Sequence, residues 1–220
     1  MTRQLVGLFG ALALACAANP ASAQVLGIPV YNGGVPSGIG IGIDVAFPND
    51  DLGDGTAYGV RGMVGLGPLG LTASLAQFNP KGDGDNVTSV GGTANLKVFG
   101  GPLVPVSVTL QGGVGFWSRE TLLGDVNTLH VPLGVGVGVS IPNPALAIRP
   151  WVAPRLDIVR VDGDLGDAET ETNFGFSLGV DFNTLSGLGL HAIYDWVSAD
   201  DLKPQSIGFG AHYAFRVPGL

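Results

Sequence analysis

The sequence predicts an all-β fold: an up-and-down antiparallel β-barrel of about ten strands that crosses a membrane, with eight strands as the alternative count. The first observation is the alternation over residues 129–140, where one parity carries Leu and Val and the other carries His, Pro, Gly and Ser. Because strand side chains point alternately to opposite faces, one face is apolar and the other nearly bare. The second observation is composition: 37 glycines, 13% charged residues and, beyond residue 23, no apolar run long enough for a spanning helix.

The first 23 residues have the features of a secretory signal peptide. Arg3 supplies the positive start, residues 5–18 the apolar core, and Ala21-Ser22-Ala23 an A-x-A cleavage site. A lipoprotein reading of Cys16 is the weaker alternative, because the residues before it fit a lipobox poorly. Cleavage leaves one domain of about 197 residues without cysteine, which excludes thiol catalysis and disulfides. Residues 24–37 show no clear period and form an N-terminal lead-in.

Ten segments repeat the alternating pattern between residues 38 and 215, the predicted barrel domain. In the first of them, GIGIGIDVAF, the isoleucines, valine and phenylalanine fall on the outward parity. Val135, in the sixth strand, is expected to face lipid, so Val135→Arg should cost about 2–4 kcal/mol, whereas Gly136→Ser on the inner face should cost much less if the lumen has space for the added side chain. The predicted strands span about 38–47, 57–66, 70–78, 88–99, 105–117, 129–140, 148–159, 173–182, 188–197 and 205–215.

The connections between these strands are of two kinds. Long acidic ones (48–56, 79–87, 118–128, 160–172 and 198–204) alternate with short uncharged ones (67–69, 100–104, 141–147 and 183–187). Antiparallel strands joined in this way place all long loops at one end of a barrel and all short turns at the other, as in outer-membrane β-barrels. Fourteen of the 18 acidic residues lie in the long loops, and the other four fall on the inward parity: Asp44, Asp157, Asp181 and Asp195. The net charge of −8 argues against a nucleic-acid partner.

The chain resembles small bacterial outer-membrane β-barrel proteins over residues 38–215. Its final strand contains Gly210, Tyr213 and Phe215 in a Gly-x-x-aromatic-x-aromatic arrangement, which is similar to the signal that the barrel-assembly machinery recognises. It departs from that signal because a tail, residues 216–220, follows the last aromatic residue. The resemblance implies a bacterial outer-membrane location, with outer-membrane lipid, lipopolysaccharide and the assembly machinery as partners. The family shares a fold rather than an activity.

The inward parity collects the polar residues that a narrow lumen must accommodate. A symmetric turn would place Asp44 opposite Arg61, and we expect an ion pair there, since buried charges must be paired. His191 and His212 are expected to be cross-strand neighbours, with Asp195 above them. Such a group could hold a metal, act as a base or form a hydrogen-bonded layer. The candidate lumen residues are Asp44, Arg61, Lys97, His130, Arg149, Arg155, Asp157, Asp181, His191, Asp195 and His212.

Three function classes remain open at this point. The favoured one is a non-enzymatic outer-membrane barrel: a narrow channel, a conduit for a small apolar ligand, or a structural surface barrel. The second is an outer-membrane enzyme acting on lipid or peptide, although no Ser/His or loop carboxylate/His spacing supports it. The third is a secreted soluble β-sandwich or lipocalin-like binder. The acidic loops 82–86 and 162–167 lack the Glu that closes an EF-hand, so no metal site or cofactor is predicted.

Prolines in two neighbouring strands do not suit an uninterrupted barrel. Pro132 lies in the sixth predicted strand, and Pro150 and Pro154 lie in the seventh. Proline donates no ladder hydrogen bond, so pairing of these strands should be locally broken toward the long loops. A bulge, with water or a side chain replacing the lost bonds, is one explanation. A lateral gap beside an inward Trp151, through which an apolar ligand passes, is the other.

Overall fold

The computed structural model describes residues 23–32, 38–82, 84–101, 104–121, 124–141, 143, 146–163, 167–199 and 202–215. Ten antiparallel strands form a closed barrel in which each strand pairs with its neighbours in sequence and the last closes on the first. No helix in these residues is long and apolar enough to cross a membrane. A short hairpin, β1 (Ala23–Val25) and β2 (Ile28–Pro29), precedes the barrel strands. These are β3 (Gly38–Pro48), β4 (Gly55–Leu66), β5 (Leu69–Pro80), β6 (Val87–Gly101), β7 (Val104–Thr121), β8 (Gly124–Val139), β9 (Leu146–Gly163), β10 (Glu169–Thr184), β11 (Leu188–Ser198) and β12 (Gln205–Phe215).

The prediction of a closed ten-stranded barrel is confirmed, and the eight-stranded alternative is excluded. Each predicted strand lies within or closely matches an observed one, because the alternation that a membrane imposes marks both faces of every strand. In β3 the glycines are buried inside while the isoleucines are exposed outside, Ile43 at 63%. The outward apolar residues therefore form a continuous band around the barrel.

The long-loop prediction is wrong for residues 118–128, which belong mostly to a β-hairpin. β7 continues to Thr121 and β8 begins at Gly124, and Arg119 pairs with Val126 between them. Residues 160–163 and 169–172 similarly extend β9 and β10. These strands extend beyond the apolar band. Outward charged residues in the extensions are therefore solvated by water and do not contact lipid. Strands β7–β10 have 16–18 residues, compared with 11 or 12 in β3, β4, β5, β11 and β12.

Residues 25–32 of the lead-in, which showed no strand period, lie inside the lumen. Its hairpin turns at Leu26 and Gly27, with Gly27 at a φ of +79°, a conformation that glycine adopts without strain. Leu26 and Val30 are 1% and 0% exposed, and the hairpin packs against small and apolar inward side chains near the long-loop end. We call residues 25–32 the inserted segment. The wall residues around its tip are Ala46, Ala57, Ala76, Phe78, Val87, Trp117, Val126, Val159 and Val161.

Two strand registers differ from the symmetric turns assumed from sequence. Residues Asp50–Leu52 form one 3₁₀ turn, and Asp44 pairs with Gly59 rather than with Arg61. In the last hairpin His191 pairs with Gly210, and His212 pairs with Gly189. Each shift is two residues, which keeps every side chain on its predicted face but moves the expected cross-strand partners to diagonal positions.

Candidate functional site

The first polar group in the lumen consists of wall residues alone. Arg155 lies at its centre: Nη1 and Nη2 donate to the two carboxylate oxygens of Asp195 at 2.8 and 2.9 Å, and Nε donates to Asp157 at 2.9 Å. Ser177 accepts from Arg155 at 2.7 Å and donates to Asp195, while His130 Nε2 is 2.7 Å from Asp157 Oδ1. We call this set the loop-side cluster: His130, Arg155, Asp157, Ser177 and Asp195.

Burial of the loop-side cluster is nearly complete, with four members at 0% exposure and Arg155 at 3%. Isolated charges could not be retained at such depth, so the bidentate Arg155–Asp195 geometry is what permits it. The Ser177 hydroxyl is engaged by Arg155 and Asp195 and is sealed from solvent. Chemically, the arrangement is suited to tying β8, β9, β10 and β11 together rather than to attacking a substrate.

The second polar group lies in the lumen toward the short turns and includes a residue of the inserted segment. Asp44 Oδ1 is 2.8 Å from His191 Nε2 and 3.4 Å from Arg61 Nη1. If Nε2 donates to Asp44, the other ring nitrogen of His191 can accept from Arg61, 3.3 Å away. The Tyr31 hydroxyl donates to Asp181 at 2.9 Å. We call this set the turn-side cluster: Tyr31, Asp44, Arg61, Asp181 and His191.

The Tyr31 ring contacts side chains from three wall strands. The Arg61 guanidinium carbon lies 4.2 Å from the ring centroid, within cation–π range. His191 and Trp151 lie 5.0 and 5.9 Å away, the latter edge-on. Gln111 donates from Nε2 to the Tyr31 carbonyl at 2.8 Å. The inserted segment is thus attached to the wall by hydrogen bonds, ring contacts and apolar burial together.

Some contacts among these residues were predicted from the sequence, and others were not. Asp44 and Arg61 do meet, though diagonally, and the rings of His191 and His212 stack at 5.9 Å. The expected grouping of Asp195 with these histidines is wrong, because Asp195 belongs to the loop-side cluster. His212 instead lies 2.8 Å from Asn183 Oδ1.

Lys97 lies near the short turns, away from the two clusters. It forms no ion pair with the residues that the structure describes. Two residues that the sequence analysis did not single out, Tyr31 and Ser177, are central to the clusters. The signal for Tyr31 was the apolar run VLGIPVY, which without alternation is typical of a segment buried on all sides.

The prolines lie in a sheet that keeps its register. Pro132 faces inward opposite Asp157, whereas Pro154 faces outward, so the two rings do not meet. The β8–β9 ladder is interrupted over residues 135–136 and 153–154 and then continues without a shift. The loop-side cluster crosses these strands beside the interruption, through the contact of His130 with Asp157.

The remaining predicted residues lie on β9 and β12. Pro150 faces outward, and Trp151 faces inward at 5% exposure against Tyr31. Tyr213 and Phe215 face outward near the short turns, and their rings make an edge contact at 4.7 Å. Gly210 faces inward, where a Cβ atom would lie 2.4 Å from the His191 ring, so only glycine leaves room for the turn-side cluster.

The structure describes only some of the carboxylates in the acidic loops. Asp83, Asp164, Asp200 and Asp201 lie outside the described residues, as do the predicted signal sequence up to residue 22 and the tail 216–220. No group of three or more His, Cys, Asp or Glu suited to a metal ion occurs among the residues that are described. Asp54 accepts a hydrogen bond from Lys81 at 2.7 Å, and this carboxylate raises the pKa of Lys81 above its ordinary value.

Comparisons with known proteins agree with this architecture. The β domain of the Bordetella autotransporter BrkA is 14% identical, with a TM-score of 0.52 and coverage of 81% of this chain and 100% of that one. The translocator domain of the Neisseria meningitidis autotransporter NalP is 14% identical, with a TM-score of 0.41 and coverage of 97% of both chains. The outer-membrane enzyme PagL is 9% identical, with a TM-score of 0.40 and coverage of 80% and 99%.

At 14% identity, the likeness to the BrkA β domain shows the fold alone. A comparison with curated sequences found no match. The family model of the outer membrane protein beta-barrel domain matches residues 9–215. With its closed ten-stranded barrel and outward apolar band, this chain belongs to the outer membrane protein β-barrel domain family, whose members lie in the bacterial outer membrane.

Proposed function

We propose that this protein is a non-enzymatic structural surface barrel whose lumen is closed to diffusion by its own inserted segment. The observation that carries the proposal is the burial of that segment: Leu26 and Val30 are 1% and 0% exposed inside the barrel. Fully burying an aliphatic side chain contributes about 1.5–3 kcal/mol. Several such side chains act together, so the segment belongs to the folded core and does not hang free in an open pore.

The two clusters favour a closed lumen over a narrow channel. Their carboxylates, guanidinium groups and imidazoles are bonded to one another across the interior, and displacing them would leave buried charges without partners. A conduit for an apolar ligand has less support, because β8 and β9 remain paired on both sides of the short interruption. An enzyme also has less support, because Ser177 and His130 are buried within the loop-side cluster at 0% exposure.

The route to the membrane is part of the same proposal. Residues 1–23 act as a cleaved signal peptide, and the barrel-assembly machinery recognises β12 through Gly210, Tyr213 and Phe215. Tyr213 and Phe215 are exposed on the outer face, where such a factor and later membrane lipid can contact them. Lipopolysaccharide meets the outward apolar residues nearer the long loops.

Conductance in planar lipid bilayers tests this proposal. The purified full chain should insert without steady ion conductance. Leu26→Asp should release the segment and produce steady conductance, because it places a charge in the apolar cluster at the hairpin tip. Leu26→Met, which preserves volume and polarity, is the matched control and should remain closed. Steady conductance by the unaltered chain would contradict the proposal.

A further inference from the structure

The end of the lumen near the short turns contains a cavity whose polar side chains are all hydrogen-bond donors or hydroxyls. Its volume is about 280 Å³. Lys97 on β6 and Arg149 on β9 lie on either side of it, and Ser107 on β7 lies between them in strand order. Ser140, next to β8, adds a second hydroxyl. We propose that this cavity binds a phosphate group through Lys97 and Arg149, a function beyond the closed surface barrel proposed above.

The two positive charges are not engaged in salt bridges with the residues that the structure describes. Arg149 donates to Ser107 Oγ at 3.0 Å, and neither cation forms an ion pair with a described residue. The nearest carboxylate in register is Asp181, which pairs with Arg149 across the β9–β10 ladder; its Oδ1 accepts from Tyr31, and it acts on Arg149 through charge without a direct ion pair.

The short connections around the cavity add no negative charge. The four short connections at this end contain no Asp or Glu, although the whole chain has a net charge of −8. The carboxylates are concentrated at the opposite end of the barrel. Two cations without ion pairs, opposite a single buried carboxylate on the neighbouring strand, leave an excess of positive charge that attracts anions into the cavity.

The chemistry of the lining matches a phosphate group better than a monocarboxylate. Two cations balance the two charges of a phosphate dianion, and a guanidinium group can bind two of its oxygens in a fork. The Ser140 hydroxyl can donate to a remaining oxygen, and Ser107, whose hydroxyl donates to the Gly138 carbonyl at 3.4 Å, can do so by turning away from that weak bond. A cavity of about 280 Å³ lies just below the range for drug-sized ligands, so a small ion or a single headgroup fits its size.

The inserted segment approaches the inner face of β8 close to the cavity. Asn32 lies against Gly136, one pleat repeat along β8 from Gly138, and a Cβ atom at Gly138 would lie 2.8 Å from Arg149. Asn32 is 2% exposed, and its side-chain amide has no hydrogen-bond partner among the described residues. The described part of the inserted segment therefore reaches the inner face of β8 one pleat repeat from the position beside Arg149, with an amide that has no described partner.

Calorimetry on the full chain in phosphatidylcholine nanodiscs, titrated with inorganic phosphate at low ionic strength, tests the proposal. We expect saturable binding that weakens as salt is added. Lys97→Gln with Arg149→Gln should weaken it at least 10-fold. The matched control, Arg119→Gln with Arg160→Gln, removes the same charge near the other end and should retain binding. Heat-modifiable migration in detergent gels checks that each variant is folded.

Two further arms make the result decisive. Lys97→Arg with Arg149→Lys preserves both charges and should retain binding to within a few-fold, which separates loss of charge from loss of fold. Repeating the titration in nanodiscs with phosphatidylglycerol distinguishes the source of the phosphate group: competition assigns a lipid headgroup, and unchanged affinity assigns a free ion. Absence of saturable binding, or equal weakening in both double variants, would overturn the proposal.

Discussion

The loop-side and turn-side clusters are similar in composition but connect different parts of the molecule. The loop-side cluster is made only of wall residues, and Arg155 bonds both of its carboxylates. The turn-side cluster includes Tyr31, which belongs to the inserted segment and donates to Asp181. The loop-side cluster connects strands whose ladder is interrupted near prolines, and the turn-side cluster fastens the inserted segment, which we propose closes the lumen. Buried charge in this barrel thus serves both wall integrity and closure.

Removing the central cation of each cluster should give the largest difference in stability between the two clusters. Arg155→Met leaves Asp157 and Asp195 buried without their main partner, and we expect a loss of about 3–5 kcal/mol in the free energy of unfolding. Arg61→Met should cost less, because Asp44 keeps its contact with His191. Urea unfolding in lipid vesicles, followed by tryptophan fluorescence, measures both. Equal losses would mean that the two clusters do not differ as described.

The two faces of β8 provide the next contrast. Val135→Arg should cost about 2–4 kcal/mol, because it places a charge in the apolar band. The expectation that Gly136 tolerates substitution is revised, since a Cβ atom there would lie 2.4 Å from the Asn32 amide. Gly136→Ala should cost about 1–3 kcal/mol through overpacking and displace the segment. Gly62→Ala on the outer face, with nothing within 4 Å of its Cβ position, is the control in the same unfolding assay.

Tyr31→Phe should weaken only the attachment of the segment. It removes the hydrogen bond to Asp181 and leaves a buried carboxylate oxygen without its donor, at a cost of about 1–3 kcal/mol. Limited proteolysis should then cut the chain near residues 25–32 sooner, while the strands remain protected. The Tyr194→Phe control removes a half-buried hydrogen bond to Gln205 and should leave the segment protected. Equal protease resistance in the two variants would remove Tyr31 from its fastening role.

Labelling of intact cells should show which end of the barrel faces outward, with no effect on stability. A cysteine at Lys81, beside the acidic loop, should react with an impermeant reagent, whereas a cysteine at Asn143, in a short turn, should not. Both positions are exposed, so the difference reports orientation rather than burial. Reaction at Asn143 alone would invert the topology.

Strand number and facing were predictable because the bilayer demands alternation along every strand. Registers were not, because they depend on turn geometry, and the 3₁₀ turn at Asp50–Leu52 moved Asp44 two residues from its expected partner. Residues 118–128 were predicted as a loop although they belong mostly to a hairpin. Beyond the membrane both faces of a strand contact water, so its polar composition does not distinguish it from a loop.

The inserted segment escaped prediction for a different reason. Its neighbours come from many strands, so no single face repeats along it and no period appears. Likewise, the composition of the lumen was evident from Asp44, Arg61 and His191, but the division into two clusters depends on long-range closure that local spacing does not encode.

Disulfide formation between the segment and the wall tests the central claim most directly. In a Cys16→Ser background, Asn32→Cys with Gly136→Cys should crosslink on mild oxidation, because the Gly136 Cβ position lies 2.6 Å from Asn32 Cγ, the position that a cysteine Sγ would take, and a disulfide needs the two side chains in such close contact. Asn32→Cys with Gly62→Cys, whose second position faces outward, is the matched control. Peptide mass spectrometry of the folded protein should find the 32–136 disulfide and not the 32–62 one. A 32–136 yield no higher than that of the control would contradict closure of the lumen by residues 25–32.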